Sequence, residues 1–170
     1  ASLATREIIE RWNSTTGRQD AVLGDALVVD PDAEKLREVV SDREDLTRRL
    51  DHFLAESESI IPEASKALAC GDLDGFGQIA DESQHAAEDL LGNQVPQTSA
   101  LARTARALGA TGSTSFGAGF GGSVWALVPT AEASEFASAW LGQHRDEYPE
   151  EAARAITVVT RPGPSARRLD

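Results

Sequence analysis

The chain has 170 residues, of which 41% are hydrophobic and 26% are charged, and its net charge is −12 at neutral pH. This composition is typical of one globular domain that is large enough to bury a core. The acidic balance argues against nucleic acid and against a membrane surface as partners, because both attract a basic face. No apolar stretch approaches the roughly 18 residues of a membrane span. The single cysteine, Cys70, cannot form an internal disulfide, so we expect a reducing, cytoplasmic location.

Apolar spacing predicts that the first part of the chain is helical. A helix begins near the N-terminus and ends within residues 13–17. Its apolar face is formed by Leu3, Ile8, Ile9 and Trp12. The stretch ALVVD, residues 26–30, fits either a short strand or a buried loop, and Pro31 ends it in both cases. A short helix follows from Asp32, with an apolar face formed by Leu36, Val39 and Val40.

A long helical hairpin is predicted next. The first helix runs from about Asp42, and Pro62 should kink or break it because proline has no N–H to donate. Gly71 and Asp72 combine the end of this helix with the capping residue of the second one. Gly92 closes the second helix, so the two helices should lie antiparallel.

After a third helix, at about residues 97–108, the apolar period changes to that of β-strands. Short β-type runs at 113–116 and 123–128 flank a glycine cluster, a helix begins after Thr130, and 155–160 is a further strand. This order predicts an α+β fold, in which a ferredoxin-like antiparallel sheet packs with helices behind the long helical hairpin.

The glycine cluster, residues 117–122, is the main candidate for a functional element. Its glycines allow positive φ and let a ligand or another backbone approach closely, and consecutive N–H groups in such a loop can bind an anion. It is neither a Gly-Lys-Ser/Thr phosphate loop nor a dinucleotide fingerprint, because a strand follows it. On spacing alone, a structural turn and a phosphate cradle remain open.

Four motifs in order resemble the galactokinase branch of the GHMP small-molecule kinases. SFGAGFGGSVWALV, residues 115–128, resembles that family's third motif, T-G-G-G-F-G-G-C followed by an apolar strand. RLDHFLAE (49–56) is similar to R-x-x-H-x-x-x-E, and ALACGDLDGFGQIADES (67–83) to A-L-x-x-G-D-x-x-x-F-G-x-L-x-x-x-S. NQVPQTSAL (93–101) is similar to the segment that reads S-x-P-E-L-D-x-L in the family.

The resemblance implies that residues 1–170 are the C-terminal domain of an ATP-dependent sugar kinase. The family's sugar-recognition motif, its serine-rich phosphate loop and its catalytic aspartate are absent from this sequence. We therefore expect no catalytic residue and no metal ligand here, and no kinase activity from this chain alone. ATP and Mg²⁺ would be bound mainly by the N-terminal domain, which with the sugar and ATP completes the expected set of partners.

The resemblance also implies which residues form this chain's part of the site. Those expected against the nucleotide are Gly117, Gly119, Phe120, Gly121 and Gly122. Those expected near the sugar or phosphate are Ser115 and Ser123. The chain departs from the family at Phe116, Ala118 and Ser123, where the family has threonine, glycine and cysteine. The departure at Phe116 leaves the substrate specificity open. A non-enzymatic sugar-sensing regulator and a ligand-binding module of the same fold are the alternatives to a sugar kinase.

Other conspicuous side chains have structural interpretations. His52 and Glu56 are spaced for a contact on one helix face. Glu82, His85 and Asp89 could be arranged as metal ligands, but an exposed acidic face is the more common meaning of this spacing. Cys70 is predicted to be a small buried residue. The tryptophans predicted to anchor the core or an interface are Trp12, Trp125 and Trp140.

Overall fold

A computed structural model of the chain describes residues 2–117 and 119–163. The helices of this part are α1 (Ser2–Thr16), α2 (Leu23–Val29), α3 (Glu34–Val40), α4 (Glu44–Leu54), α5 (Ile61–Cys70), α6 (Leu73–Ala86), α7 (Pro96–Ala107), α8 (Ala133–Glu147) and α9 (Pro149–Ala152). Two π-helical segments, Ala55–Ile60 and Ala87–Leu91, follow α4 and α6. The strands are β1 (Gly112–Phe116) and β2 (Ser123–Leu127).

The main apolar core lies among the first four helices. Its buried members are Ile8, Ile9, Trp12, Leu23, Ala26, Ala33, Leu36, Val40, Leu46 and Leu50. Trp12 is buried as predicted, and its indole N–H donates to Asp20 Oδ2 at 2.7 Å. Leu3 was predicted on the apolar face of α1 but is exposed. It lies in the first turn of α1.

The first four residues of the stretch ALVVD are helical, so the expectation of a strand or buried loop was wrong. It forms most of α2, in which Leu23 and Ala26 are buried three residues apart while Val28 and Val29 are exposed. The β-branched pair favoured a strand by propensity. Packing of one helical face against α1 overrides this preference, because burial contributes more than propensity does.

The predicted long hairpin is present, and its first helix is interrupted where proline was expected to act. Pro62 cannot donate to the carbonyl of Glu58, and the π-helical segment Ala55–Ile60 lies directly before α5. Gly71 then adopts φ = 74°, and the Asp72 carboxylate accepts from the N–H of Gly75 at 2.9 Å. Cap chemistry therefore reverses the chain as predicted.

The antiparallel sheet packs against α6 and α7. Gly112 pairs with Leu127 and Phe116 with Ser123 across the two strands. Trp125 stacks on Phe76 of α6, with ring centroids 6.1 Å apart. The Trp140 indole N–H donates to the carbonyl of Leu101 at 3.0 Å and fastens α8 to α7. The predicted α+β class, with an antiparallel sheet behind a helical hairpin, is confirmed.

Three local predictions are wrong, two of them in the C-terminal half. Residues 155–160 lie in no helix or strand, and Ile156, Val158 and Val159 are exposed. A β-branched run forms a strand only where a partner strand accepts its hydrogen bonds, and none is paired with it here. Helix α8 is preceded by Glu132 rather than capped by Thr130, and Cys70 is exposed because it lies on the outer side of α5.

Within the described ranges, no helix is both long and apolar enough to cross a lipid bilayer.

Candidate functional site

The glycine loop joins β1 to β2 in a left-handed backbone conformation. The φ angles are 93° at Gly117, 83° at Gly119, 59° at Phe120, 103° at Gly121 and 111° at Gly122. Glycine adopts such angles without a Cβ clash, whereas Phe120 carries a backbone strain of about 1 kcal/mol. Glycine is favoured in this loop because the backbone adopts positive φ angles that residues with a side chain avoid.

Asn93, in the connection between α6 and α7, holds the middle of this loop. The N–H of Phe120 donates to the carbonyl oxygen of Asn93 at 2.5 Å. A Cβ on Gly119 would lie 2.3 Å from that oxygen and 2.4 Å from Asn93 Nδ2. Asn93 itself is buried. Gly119 is thus needed for close packing as well as for its φ angle.

The other side of the loop is open. A Cβ built on Gly117, Gly121 or Gly122 meets no atom within 4 Å. The neighbouring rings are also exposed, Phe116 by 57% and Phe120 by 74%. The loop therefore presents bare backbone and two aromatic rings to space that a ligand or another domain can occupy.

Gln84 of α6 holds the start of the loop. It is buried, and its Oε1 accepts both from the Thr114 hydroxyl and from the Ser115 N–H, each at 2.9 Å. Its Nε2 donates to Glu88 Oε1 at 2.7 Å. One side-chain amide accepts both hydrogen bonds from the hairpin and is itself oriented by Glu88. The position of Ser115 is therefore fixed relative to α6.

The strand register separates the two candidate serines. Ser115 lies opposite Val124, and Ser123 lies opposite Phe116. Residues directly opposite each other in an antiparallel pair share a face, and adjacent residues alternate. The side chains of Ser115 and Ser123 therefore project from opposite faces of the hairpin.

The hairpin has no ionisable side chain between residues 112 and 127. It can offer backbone N–H groups, hydroxyls and aromatic rings, but it has no acid or base to move a proton. Among the residues described, no three His, Cys, Asp or Glu side chains are grouped to hold a metal ion, and Glu82, His85 and Asp89 do not form such a group. The arrangement is suited to orienting a ligand.

His52 and Glu56 have different partners. The Arg49 Nη1 lies 3.0 Å from His52 Nδ1, and Glu56 Oε1 accepts from the Ser83 hydroxyl at 2.7 Å. Burial lowers the pKa of His52, the positive charge of Arg49 lowers it further, and the Glu56 carboxylate opposes both effects. A neutral His52 accepts the hydrogen bond from Arg49, while Glu56 links the π-helical segment to α6.

The sequence reasoning missed Gln84 and Asn93. Gln84 could have been found, because Gly77, Ala80 and Gln84 lie three and four residues apart on the buried side of α6. A polar amide at the end of an apolar line requires internal hydrogen-bond partners. Asn93 had no such pattern, because it lies in the short connection after Gly92 and its backbone carbonyl accepts the hydrogen bond from the loop.

Residues 63–146 match the family model described as GHMP kinases C terminal. This range contains the second half of the helical hairpin, both strands, the glycine loop and nearly all of α8. Residues 63–146 therefore belong to the GHMP kinase family, and the part of the family that they match is the C-terminal domain.

Within that family, the similar proteins are galactokinases. Those of Mycobacterium bovis (strain BCG / Pasteur 1173P2) and Mycobacterium tuberculosis (strain ATCC 25618 / H37Rv) are each 33% identical over 90 residues, which is 53% of this chain and 24% of theirs. A crystal structure of Lactococcus lactis galactokinase complexed with galactose is similar with a TM-score of 0.70 and 28% identity, over 86% of this chain and 37% of that one. The match thus spans about a quarter of the length of the mycobacterial relatives.

Proposed function

We propose that residues 1–170 are the C-terminal domain of a galactokinase-like sugar kinase. The full-length protein would transfer the γ-phosphate of ATP to a sugar hydroxyl, the anomeric one. The family match and the galactokinase relatives support this proposal. The similarity to a galactokinase complexed with galactose supports a sugar as the acceptor.

The observation that carries the proposal is the one-sided support of the glycine loop. Asn93 and Gln84 hold it from behind, while the backbone at Gly117, Gly121 and Gly122 faces open space. A turn needed only to join two strands would not require this bare face. We infer that the nucleotide and the phosphate-binding loop of an N-terminal domain occupy it, with Gly119 and Phe120 completing the contact surface.

The register divides the remaining roles between the two serines. Ser115 is half-buried beside Gln84, whereas Ser123 is exposed at the start of β2. We assign Ser115 to the face on the sugar or phosphate side. Ser123 would contact a ligand only from the other face, beside Phe116. Phe116, which replaces the family's threonine, puts an aromatic ring where a hydroxyl would otherwise be available.

The chemistry of phosphoryl transfer agrees with this division of labour. Such transfer depends on positioning and on electrostatic stabilisation, which ATP-bound Mg²⁺ and charged side chains supply. The hairpin has no ionisable group, so these charges would come mainly from residues outside this sequence. The role of this chain is to orient the bound nucleotide and to exclude water from one side of it.

The test is a phosphorylation assay with ATP, Mg²⁺ and a panel of sugars that includes galactose, run on the full-length protein and on the 170-residue chain. We expect turnover of at least one sugar by the full-length protein and none by the chain alone. Turnover by the chain alone would overturn the assignment of catalysis to another domain. Sugar binding without turnover by the full-length protein would overturn the kinase proposal in favour of a sugar-sensing regulator.

A further inference from the structure

A cavity lies far along the chain from the glycine loop. It has a volume of about 650 Å³ and opens between α1, the residues that lead into α2, and α4. Its lining residues are Thr5, Arg6, Ile9, Glu10, Ala21, Val22 and Arg49. Sites for small molecules have volumes of roughly 300–1,000 Å³. The cavity shares no residue with the candidate nucleotide surface and lies outside the range 63–146 that defines the family match.

Arg49 is half-buried in this cavity, and among the described residues its hydrogen-bond contacts are with two neutral groups. Its Nε donates to the Thr5 hydroxyl at 3.2 Å, and its Nη1 lies 3.0 Å from His52 Nδ1. Burial lowers the pKa of Arg49, which means that its charged form is incompletely solvated. A guanidinium has five N–H donors, so the two contacts leave three donors without an acceptor in the part of the chain that the structure describes.

The other half-buried arginines in residues 2–117 and 119–163 all have a carboxylate partner. Arg11 Nη1 lies 2.6 Å from Asp42 Oδ1, Arg43 Nη1 lies 2.9 Å from Glu7 Oε1, and Arg106 Nε lies 3.0 Å from Asp81 Oδ1. Arg49 forms no ion pair in the same ranges, although the protein carries 28 acidic residues. A half-buried cation without a counter-charge is destabilising, and a bound anion would relieve this penalty.

We propose that this cavity is a binding site for a carboxylate, with Arg49 as the recognition residue. The planar fork of a guanidinium matches the two oxygens of a carboxylate. Arg6 adds a second positive charge to the lining, and Glu10 adds one negative charge. The lining therefore has a net charge of +1, which favours a singly charged carboxylate over a dianion such as phosphate. The carboxylate belongs either to a small acid or to an aspartate or glutamate of another segment of polypeptide.

The test follows the Arg49 Nε–H cross-peak in nitrogen-15 NMR spectra of the chain while sodium acetate is added, with sodium chloride at equal ionic strength as the control. We expect a saturating shift with acetate, half-complete in the millimolar range, a weaker effect of inorganic phosphate, and no saturating shift with chloride. Arg48→Gln is the matched variant, because Arg48 is the adjacent residue, is exposed and forms no ion pair within the described ranges. In the Arg48→Gln variant, the Arg49 cross-peak should shift with acetate as it does in the wild type.

Arg49→Lys keeps the charge but loses the fork, so acetate should then stabilise the chain against thermal unfolding less than it stabilises the wild type. The full-length protein separates the two sources of carboxylate. An Arg49 signal already at its acetate-bound position would identify a carboxylate within the protein, and a shift on acetate addition would identify a free acid. The proposal is overturned if acetate and chloride act alike on the chain, or if Arg49→Lys is stabilised by acetate as much as the wild type.

Discussion

The Ser115 N–H and the Gln84 side-chain oxygen are joined by a hydrogen bond of 2.9 Å that fixes the glycine loop to α6. The same oxygen accepts from the Thr114 hydroxyl, and the amide nitrogen is held by Glu88. One buried amide therefore determines where the first strand ends and the loop begins.

Replacing Gln84 with alanine should loosen this end of the loop. The Thr114 hydroxyl and the Ser115 N–H would lose their acceptor, so we expect the free energy of unfolding to fall by about 1–3 kcal/mol. Hydrogen exchange at the Ser115 amide should also become faster. Gln78→Ala, at an exposed position of the same helix, should change stability by less than about 0.5 kcal/mol. Equal effects of the two variants in urea unfolding would contradict the role given to Gln84.

Gly77 is needed where α6 crosses the start of β1. A Cβ at this position would lie 1.8 Å from the carbonyl oxygen of Thr111. Because backbone cannot move aside as a flexible side chain can, Gly77→Ala should lower the free energy of unfolding by about 3 kcal/mol. Gly142→Ala, in α8, is the control, since a Cβ on Gly142 would have no other atom within 4 Å. It should raise stability by about 0.5–1 kcal/mol, and a similar gain for Gly77→Ala would show that the close approach is absent.

Gly119 and Gly117 separate packing from backbone strain. Both have positive φ, so alanine at either position should cost about 1–2 kcal/mol. Only at Gly119 would the new Cβ also collide with Asn93. We expect Gly119→Ala to be the more destabilising of the two by at least about 1 kcal/mol in urea unfolding. Equal losses would mean that Asn93 does not support the loop.

The shifted pKa of His52 predicts how stability depends on pH. Its pKa is lowered by burial and by Arg49 in the folded protein, so the unfolded chain takes up the proton first as the pH falls. The free energy of unfolding should therefore decrease below about pH 6.5 and continue to decrease until the pH is below the folded pKa. His52→Gln keeps an acceptor for Arg49 but does not titrate. Between about pH 7.5 and about pH 5.5 the wild type should lose more stability than this variant, and identical losses would refute the prediction.

Elements specified by local chemistry could be predicted from the sequence. The reversal at Gly71 and Asp72 depends on a left-handed glycine and a capping carboxylate, and both are visible in the residues themselves. The β-hairpin around the glycine loop could also be predicted, because the apolar residues on both sides of the glycine cluster have the spacing of β-strands. Four ordered motifs then identified the family that the comparisons show.

Elements that depend on tertiary partners could not be predicted in the same way. The helix α2 contains a β-branched run, and only its contacts with the first helix decide its conformation. Residues 155–160 have strand-like composition but no paired neighbour. The separation of Ser115 from Ser123 is set by the register, which a loop of six residues does not fix in advance. The hydrogen bond from Phe120 is accepted by the backbone carbonyl of Asn93, and a backbone acceptor cannot be inferred from the residue type.

The central claim, that the open face of the glycine loop is half of an active site, is tested by Gly121→Ala in the full-length protein. A Cβ on Gly121 meets no atom of this chain within 4 Å, so its effect on the isolated chain should be limited to about 1–2 kcal/mol of backbone strain. Gly17→Ala is the matched control, because Gly17 also has positive φ and open space but lies at the end of α1. We predict that kcat/KM for ATP falls by at least about tenfold in Gly121→Ala and is unchanged in Gly17→Ala. An unchanged kcat/KM in Gly121→Ala would contradict the account.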